Sequence, residues 1–449
     1  MTPNKSLELS YRIQNLMNGN ILQTIQPIFP IDTVRNHQAQ SKVRRRDRVY
    51  NTENTLLTMV ITAIQDDKSL QNSVNILQDI FNSNIPKVIK YAEEMVEKEK
   101  AYDLRTKKFK KAGRPKLYKP QIAKSKTQEI SSNTAAYSKA RKRIDKELLK
   151  KVFNKTKDFS DLSSNNKWYG RDVFITDGTY FQMQDTEELR EKYGVRKGNG
   201  DLSNSYPQGL LQGIIHQGHG YIHSYKIGNR HQTELELLLP LIEKLPKESL
   251  LLADDLYNTY AIFSLLQQRG VEIIVPGKRK RNYKVIKQIS EGDEIVEIKR
   301  TARPTWLPNE KELPEKVIMR RIEYRYSGKT YVLYTSILDE SIEKSEIIQK
   351  YFTRWDIEIT IREIKTLMGI NIARSKTEEM VFKEFIVAMT AYNLIRKVIS
   401  QSSTRTAFPP EEDIIQKLIE INKVTLVDKK GRIYSRWSTG RIPKTNTKN

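Results

Sequence analysis

The chain contains no cysteine among its 449 residues. That absence removes disulfide frameworks and thiolate zinc sites, and it is compatible with a reducing cytosol. No uninterrupted apolar run approaches the roughly 18 residues that a membrane-spanning helix needs. The amino terminus lacks a signal-peptide pattern, so the expectation is a soluble, cytoplasmic protein. Gly113, Gly194 and Gly198 form no phosphate-binding loop, and no nucleotide fingerprint occurs, so no nucleotide cofactor is indicated. No internal repeat is evident. Acidic residues are in deficit, 54 against 78 Lys and Arg, for a net charge of +24. The isoelectric point is near 9.7. A field of that sign draws polyanions, and without a membrane-length segment the partner it points to is nucleic acid. Hydrophobic content of 38% is that of a globular chain, so the excess charge decorates folded domains, about two to four by length.

Residues 1–153 read as a helical, basic region. The cluster Arg44, Arg45 and Arg46 precedes the apolar periodic segment Thr55 to Phe81. A second basic run ends in Gly113-Arg114-Pro115-Lys116, which resembles the core of a minor-groove AT-hook; a charged linker is the competing and preferred reading. A third, Ala135 to Phe153, places Lys139, Arg141 and Arg143 at the start of an expected helix, where contact with DNA competes with plain solvent exposure.

From Asp172 the texture changes. Short strands at Val173 to Thr176 and Tyr180 to Met183 flank Asp177-Gly178-Thr179. A hairpin spans Gly209 to Ile227, a helix follows from Gln232 to Lys244, and the strand Leu250 to Ala253 runs into Asp254-Asp255. A helix at Tyr260 to Gln268 and a buried strand at Val271 to Val275 complete a mixed α/β pattern over residues 172–275. Residues 276–338 read as a β-rich insertion. Residues 339–400 return to helices, and 401–449 read as a helical segment and flexible tail.

One expected helix, Lys344 to Met368, carries Tyr351, Arg354, Glu358 and Lys365 at angular positions of about 0°, 300°, 340° and 320°. All four fall on one stripe. Ile357, Ile361, Ile364 and Met368 flank it on one side, and Phe352, Trp355 and Ile359 on the other, which a purely solvated face would not have. A carboxylate among cations and a phenol on a half-buried face suits a polyanion that also needs a metal.

Asp177 and Asp254 end buried-looking strands, and Glu358 lies on the later helix. Phosphodiester chemistry can use two hard divalent ions held by such carboxylates. The competing reading has Asp177 beginning a turn and Asp254 capping a helix. Side-chain alternation sends Asp254 and Asp255 to opposite faces, and periodicity does not choose between them. Asp185 reads as part of a helix start. His216, His219, His223 and His231 match no zinc spacing and read as polar strand and turn positions.

The intervals of Tyr351, Arg354, Glu358 and Lys365 match the Y-(2)-R-(3)-E-(6)-K signature of DDE transposases of the insertion-sequence-four family. Asp177-Gly178-Thr179 and Asp254-Asp255-Leu256-Tyr257 resemble its two aspartate motifs. Tyr257 fits the family's aromatic, which selects Asp254, while Asp255 departs from the usual residue. The resemblance covers Asp172 to Ile399. It implies an RNase H-like catalytic fold with a β-rich insertion, preceded by a DNA-binding region, in a bacterial, nucleoid-associated protein. It further implies cut-and-paste transposition with nicking, a hairpin and strand transfer. Asp177, Asp254 and Glu358 would hold two Mg²⁺ ions, for which Mn²⁺ can substitute. Tyr351, Arg354 and Lys365 would handle phosphates, and Trp306 is the candidate for holding an extruded base, with a buried packing role as the competing reading. The partners implied are element ends and target DNA, bound by a homodimer.

Overall fold

The computed structural model describes residues 24–40, 49–65, 67–78, 133–160, 167–195, 206–278, 281–326, 328–403, 426–427 and 433–434, with backbone alone at 355, 356, 359, 362, 363, 366, 367, 402, 403, 426, 427, 433 and 434. In chain order its helices are α1 (Ile31–Gln40), α2 (Thr52–Ile64), α3 (Thr134–Arg143), α4 (Lys146–Lys155), α5 (Glu187–Tyr193), α6 (Glu234–Ile242), α7 (Tyr260–Arg269), α8 (Lys344–Phe352), α9 (Asp356–Leu367) and α10 (Glu378–Ser403). The chain divides into two compact units, and the boundary falls within α3, between Arg141 and Lys142. In the smaller unit α2 is buried on nearly every side, and Asn51 caps it by accepting from the Asn54 N–H. The larger unit holds residues 29–42 and 142–406.

Its centre is a nine-stranded sheet of β1 (Val173–Gln182), β2 (Gln208–His216), β3 (Ile222–Asn229), β4 (Leu250–Leu252), β5 (Glu272–Pro276), β6 (Lys284–Ser290), β7 (Asp293–Lys299), β8 (Lys316–Tyr326) and β9 (Lys329–Thr335). The order is β3-β2-β1-β4-β5-β9-β8-β7-β6. Strands β1, β4 and β5 are mutually parallel, and β2 and β3 continue antiparallel from β1. The four strands of residues 276–338 do not form a separate sheet, because β9 pairs antiparallel with β5 and carries β8, β7 and β6 outward.

Alternation along the central strands sorts their side chains. Phe174, Leu251, Ile273 and Val275 face a core completed by Leu238, Leu241, Phe263 and Leu266 of α6 and α7. Val173, Ile175, Leu250, Leu252 and Ile274 face a second core with Ile347 of α8 and Ile357 of α9. Local signals fix those helices. Thr233 and Glu236 form a reciprocal capping box on α6, and α7 ends on Gly270 in the left-handed region, with φ of 75°. Behind the sheet's β3 edge, the Asn393 amide of α10 accepts from the Ile222 N–H and donates to its carbonyl.

Two expectations need correcting. Asp177 does not end a strand: β1 runs unbroken from Val173 to Gln182, because pairing with β2 continues through Asp177↔Gly213, Gly178↔Gln212 and Thr179↔Leu211. The expected single helix from Lys344 to Met368 is interrupted by a 3₁₀ turn at Thr353–Trp355. The Thr353 hydroxyl donates to the Lys350 carbonyl at 2.6 Å, tightening the backbone where an aromatic and β-branched run already weakens helix propensity.

The outer strands are tied to α8 by a buried fork. Arg320 on β8 donates through Nε and Nη2 to the Asp293 carboxylate on β7, at 2.8 and 2.7 Å. Its Nη1 donates to the carbonyls of Asp339 and Ile342, in the loop that enters α8. Both side chains are almost fully buried, 1% and 2% exposed. Removing one partner strands a buried charge, whereas replacing both with apolar groups can be nearly neutral. Arg320→Ala should therefore destabilise the folded state by about 3–5 kcal/mol, and Arg320→Met combined with Asp293→Leu by much less. Urea unfolding followed by tryptophan fluorescence checks this; a double variant as unstable as the single one would show that the charge itself is needed.

Candidate active site

The carboxylates come together from three elements. Asp177 is half-buried in the middle of β1 and accepts a hydrogen bond from the Gly178 N–H at 2.8 Å. Its cross-strand neighbour is Gly213, where a Cβ would meet nothing within 4 Å. The space beside Asp177 on that face is therefore open, since directly paired residues point the same way. Asp254 follows β4 and caps the 3₁₀ turn Asp255–Tyr257, accepting from the Leu256 N–H at 2.9 Å. The helix-capping and active-site readings of Asp254 are thus compatible. Asp255 instead accepts from the Lys278 N–H at 3.1 Å.

Asp254 is in step with Leu250 and Leu252, which face the α8–α9 side as Asp177 does. Burial pushes the Asp177 carboxyl above the usual range. The Gly178 N–H pulls it back, the charge of Asp254 raises it, Arg354 lowers it and Glu358 raises it again. Both partner carboxylates of the expected triad are therefore electrostatic neighbours of Asp177.

The four signature residues are split by the helix break. Tyr351 lies at the end of α8, Arg354 in the 3₁₀ turn, and Glu358 and Lys365 on α9. Arg354 approaches Glu358 at 3.4 Å, its side chain 12% exposed against 62% for the glutamate. The Arg354 Nε is buried without a hydrogen-bond partner among the described residues. Burial pushes the Tyr351 hydroxyl up to about 12, while Arg354 hydrogen-bonds it and lowers it. Burial lowers Lys365, and the charge of Asp177 offsets part of that.

Other expected residues lie elsewhere. Trp306 is half-buried and packs against the core on the α6–α7 side of the sheet. Lys139 and Arg143 are exposed on α3, and Arg141 sits over the Tyr137 ring at 5.8 Å. Arg44, Arg45, Arg46 and Arg114 fall outside the described residues. His216, His219 and Tyr221 form a ring stack, with centroids 5.3 and 4.9 Å from His216.

Glu234 is an acid that pattern reading missed. It sits in the first turn of α6, accepts from the Tyr257 hydroxyl at 2.8 Å, and is pushed up by burial and by the charges of Asp177 and Asp254. Nothing in its sequence surroundings separates it from an ordinary first-turn acid.

The donor set suits a hard divalent cation, since it is all carboxylate oxygen and the charges of Asp254 and Glu358 raise the proton affinity of Asp177. As the side chains stand, no three His, Asp or Glu among the described residues form a metal-holding group. Glu358 is the most exposed of the three and lies beside Arg354.

A family profile described as the transposase DDE domain matches residues 168–394. Putative transposase InsZ of Escherichia coli (strain K12) is 24% identical over 180 residues, covering 40% of this chain and 58% of that protein. The chain thus spans less than two thirds of that relative. A piggyBac transposase in a synaptic complex with hairpin DNA, solved by cryo-EM, aligns with a TM-score of 0.37 at 9% identity, over 93% of this chain and 80% of that one.

Because the folded chain holds the Asp177 proton above the ordinary 3.8, rising pH through that window costs folding stability, and at neutral pH the charge is carried at a loss. Asp177→Asn should therefore melt about 1–3 °C higher than the parent at pH 7.5 in chelator. A melting temperature equal to or below the parent's contradicts the strained-carboxylate account.

Proposed function

Because the chain belongs to the transposase DDE-domain family, we propose that it is a DNA transposase that moves an insertion sequence by cutting and pasting. The observation that carries this reading is the electrostatic convergence of Asp177, Asp254, Glu358 and Arg354 on one face of the sheet, with Lys365 also sensing Asp177. We read the core order β3-β2-β1-β4-β5 as the RNase H-like fold. The match to the Y-R-E-K intervals supports the insertion-sequence-four subgroup.

Asp177, Asp254 and Glu358 would hold two Mg²⁺ ions, which supply Lewis acidity to the attacking oxygen and to the departing one. In the first reaction a water oxygen bonds to phosphorus, the bond from phosphorus to the 3′-oxygen breaks, and that oxygen leaves protonated as a 3′-hydroxyl. The oxygen of the freed hydroxyl then bonds to a phosphorus of either the opposite strand, forming a hairpin, or target DNA, and the bond from that phosphorus to its own 3′-oxygen breaks, that oxygen taking up the proton and leaving as a new 3′-hydroxyl. Arg354 offers a buried, unpartnered N–H to a phosphate oxygen, and charge-assisted contacts of this kind position the scissile group. Lys365 lies seven residues beyond Glu358, about 10 Å along α9, where it meets a neighbouring phosphate. Tyr351, tethered to Arg354, donates to a phosphate near the transferred end.

DNA outside the site would be held by the basic residues of the amino-terminal region, including Lys139 and Arg143. Joining two element ends calls for two active sites, hence a homodimer on DNA.

Glu358→Gln should retain binding to DNA carrying the element ends while nicking falls at least about 10³-fold. The test uses gel shift and plasmid nicking on a plasmid containing the coding region and its native flanks. Nicking that survives the change would sink the enzyme assignment. Nicking without joined products would instead indicate a nuclease. Lys365→Ala should weaken binding and reduce the slope of log K against log salt by about one. An unchanged slope removes Lys365 from the phosphate contacts.

A further inference from the structure

A hydrogen-bonded chain runs beneath the carboxylates on the opposite face of the sheet. Glu234 accepts from the Tyr257 hydroxyl at 2.8 Å. That oxygen accepts in turn from Gln212 Nε2 at 2.9 Å, and the same amide reaches the Thr176 hydroxyl at 2.7 Å. Thr176 donates to the Gly213 carbonyl at 3.0 Å. Gln212 is fully buried and Tyr257 and Thr176 nearly so.

Each member touches the backbone that carries an active-site acid. Thr176 precedes Asp177, Gly213 pairs with Asp177 across the ladder, and Tyr257 closes the 3₁₀ turn that Asp254 caps. Glu234 itself lies against β1 where the residue after Asp177 has no side chain. A Cβ on Gly178 would come within 2.6 Å of Glu234 Cγ and Oε2. This explains glycine in Asp177-Gly178-Thr179 by a close approach rather than by a turn, since β1 is continuous there.

Alternation separates Glu234 from the metal-facing acids. Thr176 and Gly178 point to the α6–α7 side, whereas Asp177 points to the α8–α9 side. A carboxylate beneath the strand does not share the opening beside Asp177, but it can set the distance between two strands. Helix α6 makes it a firm anchor, because the Thr233–Glu236 capping box fixes the first turn.

We infer that Glu234 is a positioning residue, which through Tyr257 locks the spacing of Asp177 and Asp254 and so sets how well the pair takes up a divalent cation. This rests on the reading of those aspartates as the metal-holding pair. Support by such outer partners is typically worth about 10–100-fold in metal affinity or activity.

The test uses the full chain with two readouts: nicking of the plasmid described above, and the Mn²⁺ concentration at the midpoint of the ion-induced rise in melting temperature, measured without DNA. Tyr257→Phe and Glu234→Ala should each lower nicking and raise the Mn²⁺ midpoint by about 10–100-fold. Glu234→Gln keeps an oxygen that accepts from Tyr257 and should stay within about threefold of the parent on both. The double variant Glu234→Ala with Tyr257→Phe should be no worse than the weaker single, because one bond is lost once. Two outcomes overturn the inference: Tyr257→Phe matching the parent on both readouts, or Glu234→Gln falling as far as Asp177→Asn, which would mean Glu234 acts by its charge. A parent that fails to nick while the Mn²⁺ midpoints keep the expected order would refute the transposase reading and leave the positioning role intact. Nicking with the midpoints out of order would refute the positioning role alone.

Discussion

The alternation of one strand, β1, governs how the rest of the site is built. Its position between antiparallel β2 and parallel β4 fixes both register and tilt. Once Phe174 is committed to the α6–α7 core and Val173 and Ile175 to the other, Asp177 must emerge on the α8–α9 side and Thr176 and Gly178 on the reverse. A one-residue slip would send Asp177 into the packed layer beneath and exchange Phe174 with Val173 and Ile175 between the two cores. The apolar pattern and the functional carboxylate therefore constrain each other, and neither could move alone.

Against that rigid frame, α9 is less tightly held. Its Glu358 is mostly exposed and reaches Arg354 only at 3.4 Å. Asp177, by contrast, is fixed by its strand and by the Gly178 N–H. The two aspartates are preset by the sheet, while the glutamate arrives on α9, beyond the break at Thr353–Trp355 that separates it from α8, the helix whose entry the Arg320 fork holds. The β-rich extension thus has a mechanical connection to the site, because β8 grips the loop that launches α8.

Much of this was legible in the sequence where chemistry and periodicity coincide. The hairpin at 209–227, the strand leading to Asp254 and the helices on either side follow from alternating or helical apolar patterns bounded by caps and glycines. Of the residues at the intervals from Tyr351 to Lys365, Arg354, Glu358 and Lys365 are electrostatic neighbours of Asp177. One reading failed because local composition does not report pairing: Asp177-Gly178-Thr179 has turn composition yet stays in the ladder because β2 continues beside it. Trp306 lies in a proline-bounded loop and packs against the α6–α7 core, in keeping with the packing alternative. Between Asp254 and Asp255 alternation did not choose; the resemblance at Tyr257 favours Asp254, and Asp255 accepts from the Lys278 N–H of another segment.

Glu234 could not have been found by pattern, because its relation to the site exists only through space. A first-turn acid is common on any helix, and its partners Tyr257, Gln212 and Gly178 lie 23, 22 and 56 positions away in the chain. What distinguishes it is that a buried acid was retained near two others, which raises its proton affinity and burdens the fold. Such a group is tolerated when it satisfies a donor that would otherwise be stranded, and the Tyr257 hydroxyl is that donor. In the proposed positioning role the same bond couples the α6–α7 side of the sheet to the spacing of the aspartates, which alternation places on the opposite face.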